Sequence, residues 1–108
     1  MKYLGNAFSA SMLAGNAMVR FSFISRTQAR AWVREGVLVS VVGHAPTADM
    51  LAGMLDIPIG VQRVSIILRP GDQLLIAQYS GPRLQEGVTA LPEGAGITWI
   101  LVDLVEVV

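Results

Sequence analysis

The stretch from residue 37 to residue 55 places the tightest constraint on how this 108-residue chain folds. Residues 37–42 form a nearly continuous apolar run, which is the pattern of a buried strand. Gly43 ends the run, and residues 47–55 then carry one apolar stripe at helical spacing. A buried strand that leads directly into an amphipathic helix predicts a sheet with helices packed on it.

Strand and helix patterns alternate along the rest of the chain. Ser25 and Gln28 have the spacing of a capping box, which predicts the start of a helix, and Gly36 predicts its end. The other predicted elements are strands over residues 2–4, 19–24, 64–68, 74–79 and 97–108 and a helical turn over residues 11–13. This order predicts a single α/β domain over residues 1–108, with a mixed β-sheet of about five or six strands and two or three helices packed on it.

Two of these segments predict more than a strand. Pro70-Gly71 separates residues 64–68 from residues 74–79 and has the composition of a type II turn, so the two segments predict a β-hairpin. Residues 97–108 are rich in β-branched side chains, which predicts a central strand or one covered by a partner chain. Because a small domain has little surface with which to cover such a run, we expect a homodimer.

The composition excludes several kinds of site. The chain has no cysteine and one histidine, so cysteine nucleophiles and cysteine-based zinc sites are excluded and no metal or cofactor is expected. Eight Lys and Arg balance eight Asp and Glu, so no basic field for long nucleic acid is expected. Apolar runs are too short for a membrane span and the N-terminal one is interrupted, which predicts a cytoplasmic protein with no membrane partner.

Three polar clusters follow strand patterns, and His44 is the centre of one of them. The N–H groups at a helix start attract anions, so an imidazole beside that start favours phosphate chemistry. The other clusters are Asn6 with Ser9 and Arg83 with Glu86. If the clusters meet at one edge of the sheet, they combine acid–base groups with phosphate ligands. Each also has a structural interpretation: a hydrogen-bonded core histidine, turn residues, or a surface ion pair.

Four motifs, taken in order, resemble the viral ring nucleases, which are small type III anti-CRISPR proteins with cellular relatives in CRISPR loci. The resemblance spans residues 6–87. The motifs are Asn6-Ala7-Phe8-Ser9 followed by Met12-Leu13, Gly43-His44 followed by Thr47-Ala48 and Leu51, Arg63-Val64 followed by Gly71-Asp72 and Gln78, and Arg83-Leu84 followed by Glu86-Gly87. Two departures affect the last motif: Ser80-Gly81-Pro82 precedes it, and residues 90–96 are rich in helix breakers where the family often has a helix.

The resemblance implies a homodimer whose ligand pocket lies across its two-fold axis. It implies metal-independent cleavage of cyclic tetra-adenylate, the second messenger of type III CRISPR systems, to linear di-adenylate with cyclic phosphate ends, which switches off the signal. By the same resemblance His44, Arg83 and Glu86 are catalytic. The expected ligand-binding residues are Asn6, Ser9, Gly43 and Thr47.

This chemistry suits the composition, because RNA carries its own nucleophile in the ribose 2′-hydroxyl. Arg83 would offset charge on the phosphate, and His44 would protonate the departing 5′ oxygen. The alternative is a dimeric module that binds a cyclic nucleotide or nucleic acid without cutting it. An esterase that pairs Ser9 or Ser11 with His44 is disfavoured, since the chain has no G-x-S-x-G motif.

Overall fold

One mixed sheet organises residues 1–107, the part of the chain that the computed structural model describes. Its strands are β1 (Lys2–Gly5), β2 (Ala17–Ile24), β3 (Leu38–Ser40), β4 (Gln73–Ser80) and β5 (Gly96–Val107), in the order β2-β5-β4-β1-β3. β1 pairs in parallel with β3 and β4, whereas β5 pairs antiparallel with β2 and β4. The mixed α/β sheet expected from the sequence is therefore confirmed, with four strands in one direction and β5 against them.

Local signals set the helix boundaries. In α1 (Arg26–Val33), Ser25 Oγ accepts from the Gln28 N–H at 3.1 Å and Gln28 Oε1 accepts from the Ser25 N–H at 2.8 Å, so the predicted capping box forms. The second helix, α2 (Ala45–Leu55), starts two residues earlier than predicted and ends at Asp56, which has a left-handed φ of 57°. A short 3₁₀ helix covers Ala10–Met12. Within residues 1–107, no helix is long and apolar enough to cross a membrane.

The sheet separates two hydrophobic cores, because alternate residues of a strand point to opposite faces. Leu75 and Trp99 face α1 and α2, and they form the first core with apolar side chains of both helices. Leu74 and Val102 face the other way, where the second core is closed by the segment after β1 and by residues 66–68. β4 and β5 are thus buried on both faces, which explains their nearly continuous apolar sequences.

The predicted hairpin of residues 64–68 with residues 74–79 is wrong. In the described chain residues 61–69 form no strand, and β4 has β1 and β5 as its two neighbours. Residues 66–68 instead lie over the second core, where the Leu68 N–H donates to the Met12 carbonyl at 2.7 Å. A strand has room for two neighbours, and alternating hydrophobicity does not separate a sheet strand from an extended segment lying over the sheet.

The run at residues 97–108 is central, as one of the two interpretations predicted. β5 lies between β2 and β4, and Val102 is fully buried; Val108 lies outside the described residues. The run therefore does not need a partner chain to cover it. The largest exposed aromatic side chains lie on the edge strand β2 instead: Phe21 is 50% exposed and Phe23 is 75% exposed.

The strand predicted over residues 37–42 is shorter in the structure, where β3 spans only Leu38–Ser40.

Candidate functional site

The carboxyl ends of β3 and β4 flank that of β1, so the segments that follow these parallel strands leave the sheet at the same edge. Crevices at such an edge are the usual ligand sites of open α/β sheets. A cavity of about 580 Å³ lies there. Its walls come from the start of α2, from the end of β4 and from the segment after β4. The lining residues are His44, Pro46, Thr47, Tyr79, Gly81, Pro82, Arg83 and Leu84.

His44 is the N-cap residue of α2. Its carbonyl accepts the Ala48 N–H at 3.0 Å, whereas its imidazole makes no capping hydrogen bond within the described chain. The side chain is exposed and lines the cavity. This position differs from that of a buried core histidine, the structural interpretation of the same residue. The extended residues after β3 and the helix start therefore present the imidazole at the rim of the sheet.

Arg63 is a neighbour of His44 that the predicted site residues did not include. Its Nη2 lies 3.4 Å from Nδ1 of His44. A guanidinium only donates, so Nδ1 accepts and a neutral ring carries its proton on Nε2. The aliphatic part of Arg63 also lies over Gly43, where an added Cβ would be 3.6 Å from Cγ. In the sequence Arg63 is indicated only by its place in the third motif, which fits the predicted hairpin and not the predicted site.

The first turn of α2 adds donors beside the imidazole. The leading N–H groups of a helix have no partner within the helix, and Pro46 has no N–H, so Ala45 and Thr47 supply the amides at this end. Thr47 also lines the cavity with His44. Arg83 lines the same cavity and Arg63 lies against His44, so both add positive charge near the helix start. Amides, a hydroxyl and two guanidinium groups form an arrangement that suits a phosphate.

Arg83 enters the cavity from the segment at residues 81–95, which follows β4. Gly81 has a φ of 144° and passes close to Ala95, where an added Cβ would lie 2.6 Å from the Ala95 Cβ. Tyr79 Oη donates to the Pro82 carbonyl just before Arg83. The departure at Ser80-Gly81-Pro82 thus shapes the exit from β4, since another residue in place of Gly81 would be both strained and crowded.

The remaining predicted site residues lie away from the cavity wall. Glu86 is exposed in a turn with Gly87, and among residues 1–107 it forms no ion pair with Arg83. Ser9 caps the 3₁₀ helix, with Oγ 3.3 Å from the Ser11 N–H and 2.9 Å from Ser11 Oγ, which fits the turn interpretation. Asn6 follows β1 and is half-buried. The structure therefore brings His44, Thr47 and Arg83 to one cavity, with Gly43 adjacent.

The acidic side chains are dispersed. Within residues 1–107, no group of three or more Asp, Glu or His side chains is arranged to hold a metal ion. Asp72 is buried and accepts from the N-terminal amine at 3.1 Å and from the Arg69 N–H at 2.9 Å, so it stabilises the turn before β4. Asp49 accepts from the Gly87 N–H at 3.3 Å.

Three comparisons relate this chain to known proteins. The sequence model of the STIV B116-like family matches residues 2–94. Uncharacterized protein 26 of Sulfolobus islandicus filamentous virus (isolate Iceland/Hveragerdi) is 30% identical over 88 residues, which cover 81% of this chain and 74% of that protein. The solved structure of B116 of Sulfolobus turreted icosahedral virus is similar with a TM-score of 0.74 and 18% identity, over 94% of this chain and 97% of that one. The structural likeness shows a shared fold, and both relatives are viral proteins.

Proposed function

The chain belongs to the STIV B116-like family, and we propose that it is a metal-independent ring nuclease that cleaves cyclic tetra-adenylate. One observation carries the proposal: a single cavity at the carboxyl edge of the sheet joins an exposed imidazole, a guanidinium and a helix start. The four sequence motifs support the same activity. The viral origin of both relatives suits a protein that removes a CRISPR second messenger from the cytoplasm of an infected cell.

In the proposed reaction the ribose 2′-hydroxyl attacks its own 3′ phosphate. The O2′–P bond forms and the P–O5′ bond breaks, which leaves a cyclic phosphate on one end and a 5′-hydroxyl on the other. The 2′-hydroxyl loses a proton and the 5′ oxygen gains one, so no water or metal is consumed. Two such cuts convert a ring of four nucleotides into two molecules of linear di-adenylate. The protein must hold the 2′ oxygen, phosphorus and 5′ oxygen in line.

His44 acts as the general acid on the 5′ oxygen. Its imidazolium carries protons on both nitrogens, so the protonated ring and Arg63 cannot share the 3.4 Å contact through Nδ1. Arg63 is then free to turn to the phosphate beside the ring. Arg83 opposes the charge that develops on the phosphate oxygens, and the amides of Ala45 and Thr47 bind the same group.

A homodimer gives a role to three proposed site residues that do not line the cavity, which are Glu86, Asn6 and Ser9. A cavity of about 580 Å³ suits a drug-sized ligand, and a ring of four nucleotides is larger than that. We assign one half of the ring to each protomer of a homodimer, so that residues beyond the cavity wall meet the ligand as well. In this arrangement the Glu86 carboxylate accepts a hydrogen bond from a ribose hydroxyl, and Asn6 and Ser9 contact the ligand.

The homodimer also matches the symmetry of the ligand. A two-fold dimer presents each catalytic group twice, and a ring of four identical nucleotides has a two-fold axis. Phe21 and Phe23 provide apolar surface on one face of the edge strand β2, and a second copy would remove that surface from water. Light scattering at micromolar concentration checks this part of the proposal: a fully active monomer would remove the two-fold argument.

A dimeric module that binds cyclic nucleotide without cutting it is the second candidate. The position of Glu86 favours this candidate, because one of the three proposed catalytic residues does not line the cavity. The decisive experiment incubates the protein with cyclic tetra-adenylate in EDTA and separates the nucleotides by chromatography. Linear di-adenylate supports the nuclease, and intact bound ring supports the module. Protein with His44→Ala, purified in parallel, controls for contaminating nucleases.

A second arm of this experiment replaces the substrate with a ring of 2′-deoxyriboses. Because the 2′-hydroxyl is the proposed nucleophile, this analogue should bind and remain intact. Cleavage of the analogue at the parental rate would require a water or protein nucleophile, and the proposed mechanism would be wrong. Activity that vanishes in EDTA and returns with manganese would likewise exclude the metal-independent route.

A further inference from the structure

The segment at residues 81–95 lies against α2 at two points. The Gly87 N–H donates to Asp49 Oδ2 at 3.3 Å. Two residues later the backbone of Thr89 lies on Gly53, where an added Cβ would be 1.8 Å from the Thr89 carbonyl oxygen and 2.7 Å from its carbonyl carbon. Since the obstacle is backbone and not a flexible side chain, this contact requires glycine at position 53.

Gly53 has no other explanation in the helix. Glycine is a poor helix former, and its usual place near a helix end is a left-handed position after the last turn. In α2 that position belongs to Asp56, with a φ of 57°, whereas Gly53 lies inside the helix with no left-handed φ. The close approach of Thr89 accounts for a glycine that local helix chemistry does not favour.

Asp49 and Gly53 are four residues apart, so they lie on the same face of α2 one turn from each other. The same helix carries His44 at its N-cap. Residues 83–89 contain no strand or helix of their own, and Glu86 and Gly87 form a turn. Apart from the Tyr79–Pro82 hydrogen bond that precedes Arg83, the position of this segment depends on its contacts with α2 and on Leu84, which packs at the edge of the first core.

We propose that Asp49 and Gly53 are positioning residues that hold residues 87–89 against α2. This pair of contacts, called the seat below, fixes the positions of Arg83 and Glu86 relative to His44. The roles of Arg83 and Glu86 in this inference rest on the proposed function. The seat itself concerns only the placement of the segment. It couples the two walls of the cavity through one rigid helix.

Gly53→Ala tests the seat, because the added methyl group should stabilise the helix but displace the segment that lies on it. Alanine strengthens a helix, so α2 should remain folded and the melting temperature should not fall through loss of helix. The added Cβ should push residues 87–89 away and expose the Gly87 amide. Hydrogen exchange followed by mass spectrometry should show faster exchange over residues 83–90 than in the parent. Gly60→Ala is the matched control, since nothing lies within 4 Å of a Cβ at that glycine.

The catalytic readout is the single-turnover rate on cyclic tetra-adenylate. Displacement of Arg83 should lower this rate roughly 10- to 100-fold in Gly53→Ala, with a smaller change in binding. Asp49→Ala should lower it as well. Asp49→Asn keeps an oxygen that accepts the Gly87 N–H, so this variant should restore most of the rate, which a purely electrostatic role of Asp49 does not predict.

The outcomes separate the two proposals. Parental exchange and parental rate in both Gly53→Ala and Asp49→Ala would overturn the seat. If the parent protein does not cleave the ring, the proposed function fails, and the exchange measurement alone decides whether the seat exists. Should Gly53→Ala fail to fold, Asp49→Ala against Asp49→Asn carries the same test without a steric change.

Discussion

The two walls of the cavity are built in different ways. On one wall, His44 follows β3 and occupies the N-cap position of α2, so its place depends on neighbouring residues in the sequence. On the other wall, Arg83 lies on a segment without regular structure, which is held by Asp49, Gly53 and the edge of the first core. The first wall is formed by residues that are close in the sequence, while the second depends on contacts between residues distant in the chain. The difference predicts that changes in the two walls affect activity and stability separately.

His44→Ala should have the largest effect on activity. If His44 is the general acid, as proposed, the single-turnover rate should fall by the roughly 100- to 10,000-fold that such a group contributes. Binding should weaken much less, because in the proposed mechanism Arg83 and the start of α2 also hold the phosphate. His44 is exposed, so the melting temperature should change little. Rate and melting curve should be measured on one preparation. A variant that melts several degrees lower and cuts at the parental rate would make the histidine structural.

Arg83→Ala tests the second wall and should cost about 100- to 1,000-fold in rate, as the loss of one preorganised donor to a developing anion does. Arg83→Lys keeps the charge but loses the planar fork, so it should recover only part of the rate. The melting temperature of both variants should match that of the parent, since Arg83 is exposed. Equal rates in the alanine and parental proteins would show that the second wall is not part of the catalytic site.

The contrast in stability can be measured with two leucines. Leu51 is fully buried on α2, and Leu51→Ala should destabilise the protein by about 2–5 kcal/mol. Leu84 is half-buried on the segment at residues 81–95, and Leu84→Ala should cost about 1 kcal/mol or less. Urea unfolding of both variants gives the comparison. Similar losses would mean that the segment is as integral to the core as the helix.

Arg63→Ala should have the smallest effect on catalysis, roughly tenfold, because in the proposed site Arg83 and the amides of α2 still neutralise the phosphate. Its contact with His44 Nδ1 gives a second observable. In NMR spectra of the imidazole, the variant should show a larger share of the neutral tautomer with its proton on Nδ1. The reason is that the Arg63 guanidinium, which donates to Nδ1 and so favours the other tautomer, has been removed. An unchanged tautomer ratio would argue against the contact in solution.

Local patterns predicted much of the fold. The capping box at Ser25 and the helix after His44 follow from the spacing of nearby residues. The apolar composition of residues 97–108 left two interpretations open, and the sheet order shows that β5 is a central strand. The hairpin failed because hydrophobic alternation at residues 64–68 is the same for a strand in the sheet and for a segment lying over it. Which strands pair depends on how segments far apart in the chain compete for the same neighbour. A short stretch of sequence holds no information about that competition.

For the candidate site, too, one part could be predicted from nearby residues and another part could not. The sequence by itself determined that an imidazole stands at a strand-to-helix junction, because a buried strand, a glycine and a helix start occur in direct succession. Only the tertiary structure decided that Arg83 shares its cavity, that Arg63 touches His44, and that Ser9 caps a separate turn. Those placements depend on the pairing of β4 with β1 and on the packing of residues 87–89 against Gly53. Such contacts join residues far apart in the chain, and their energies are settled only when the whole sheet has formed.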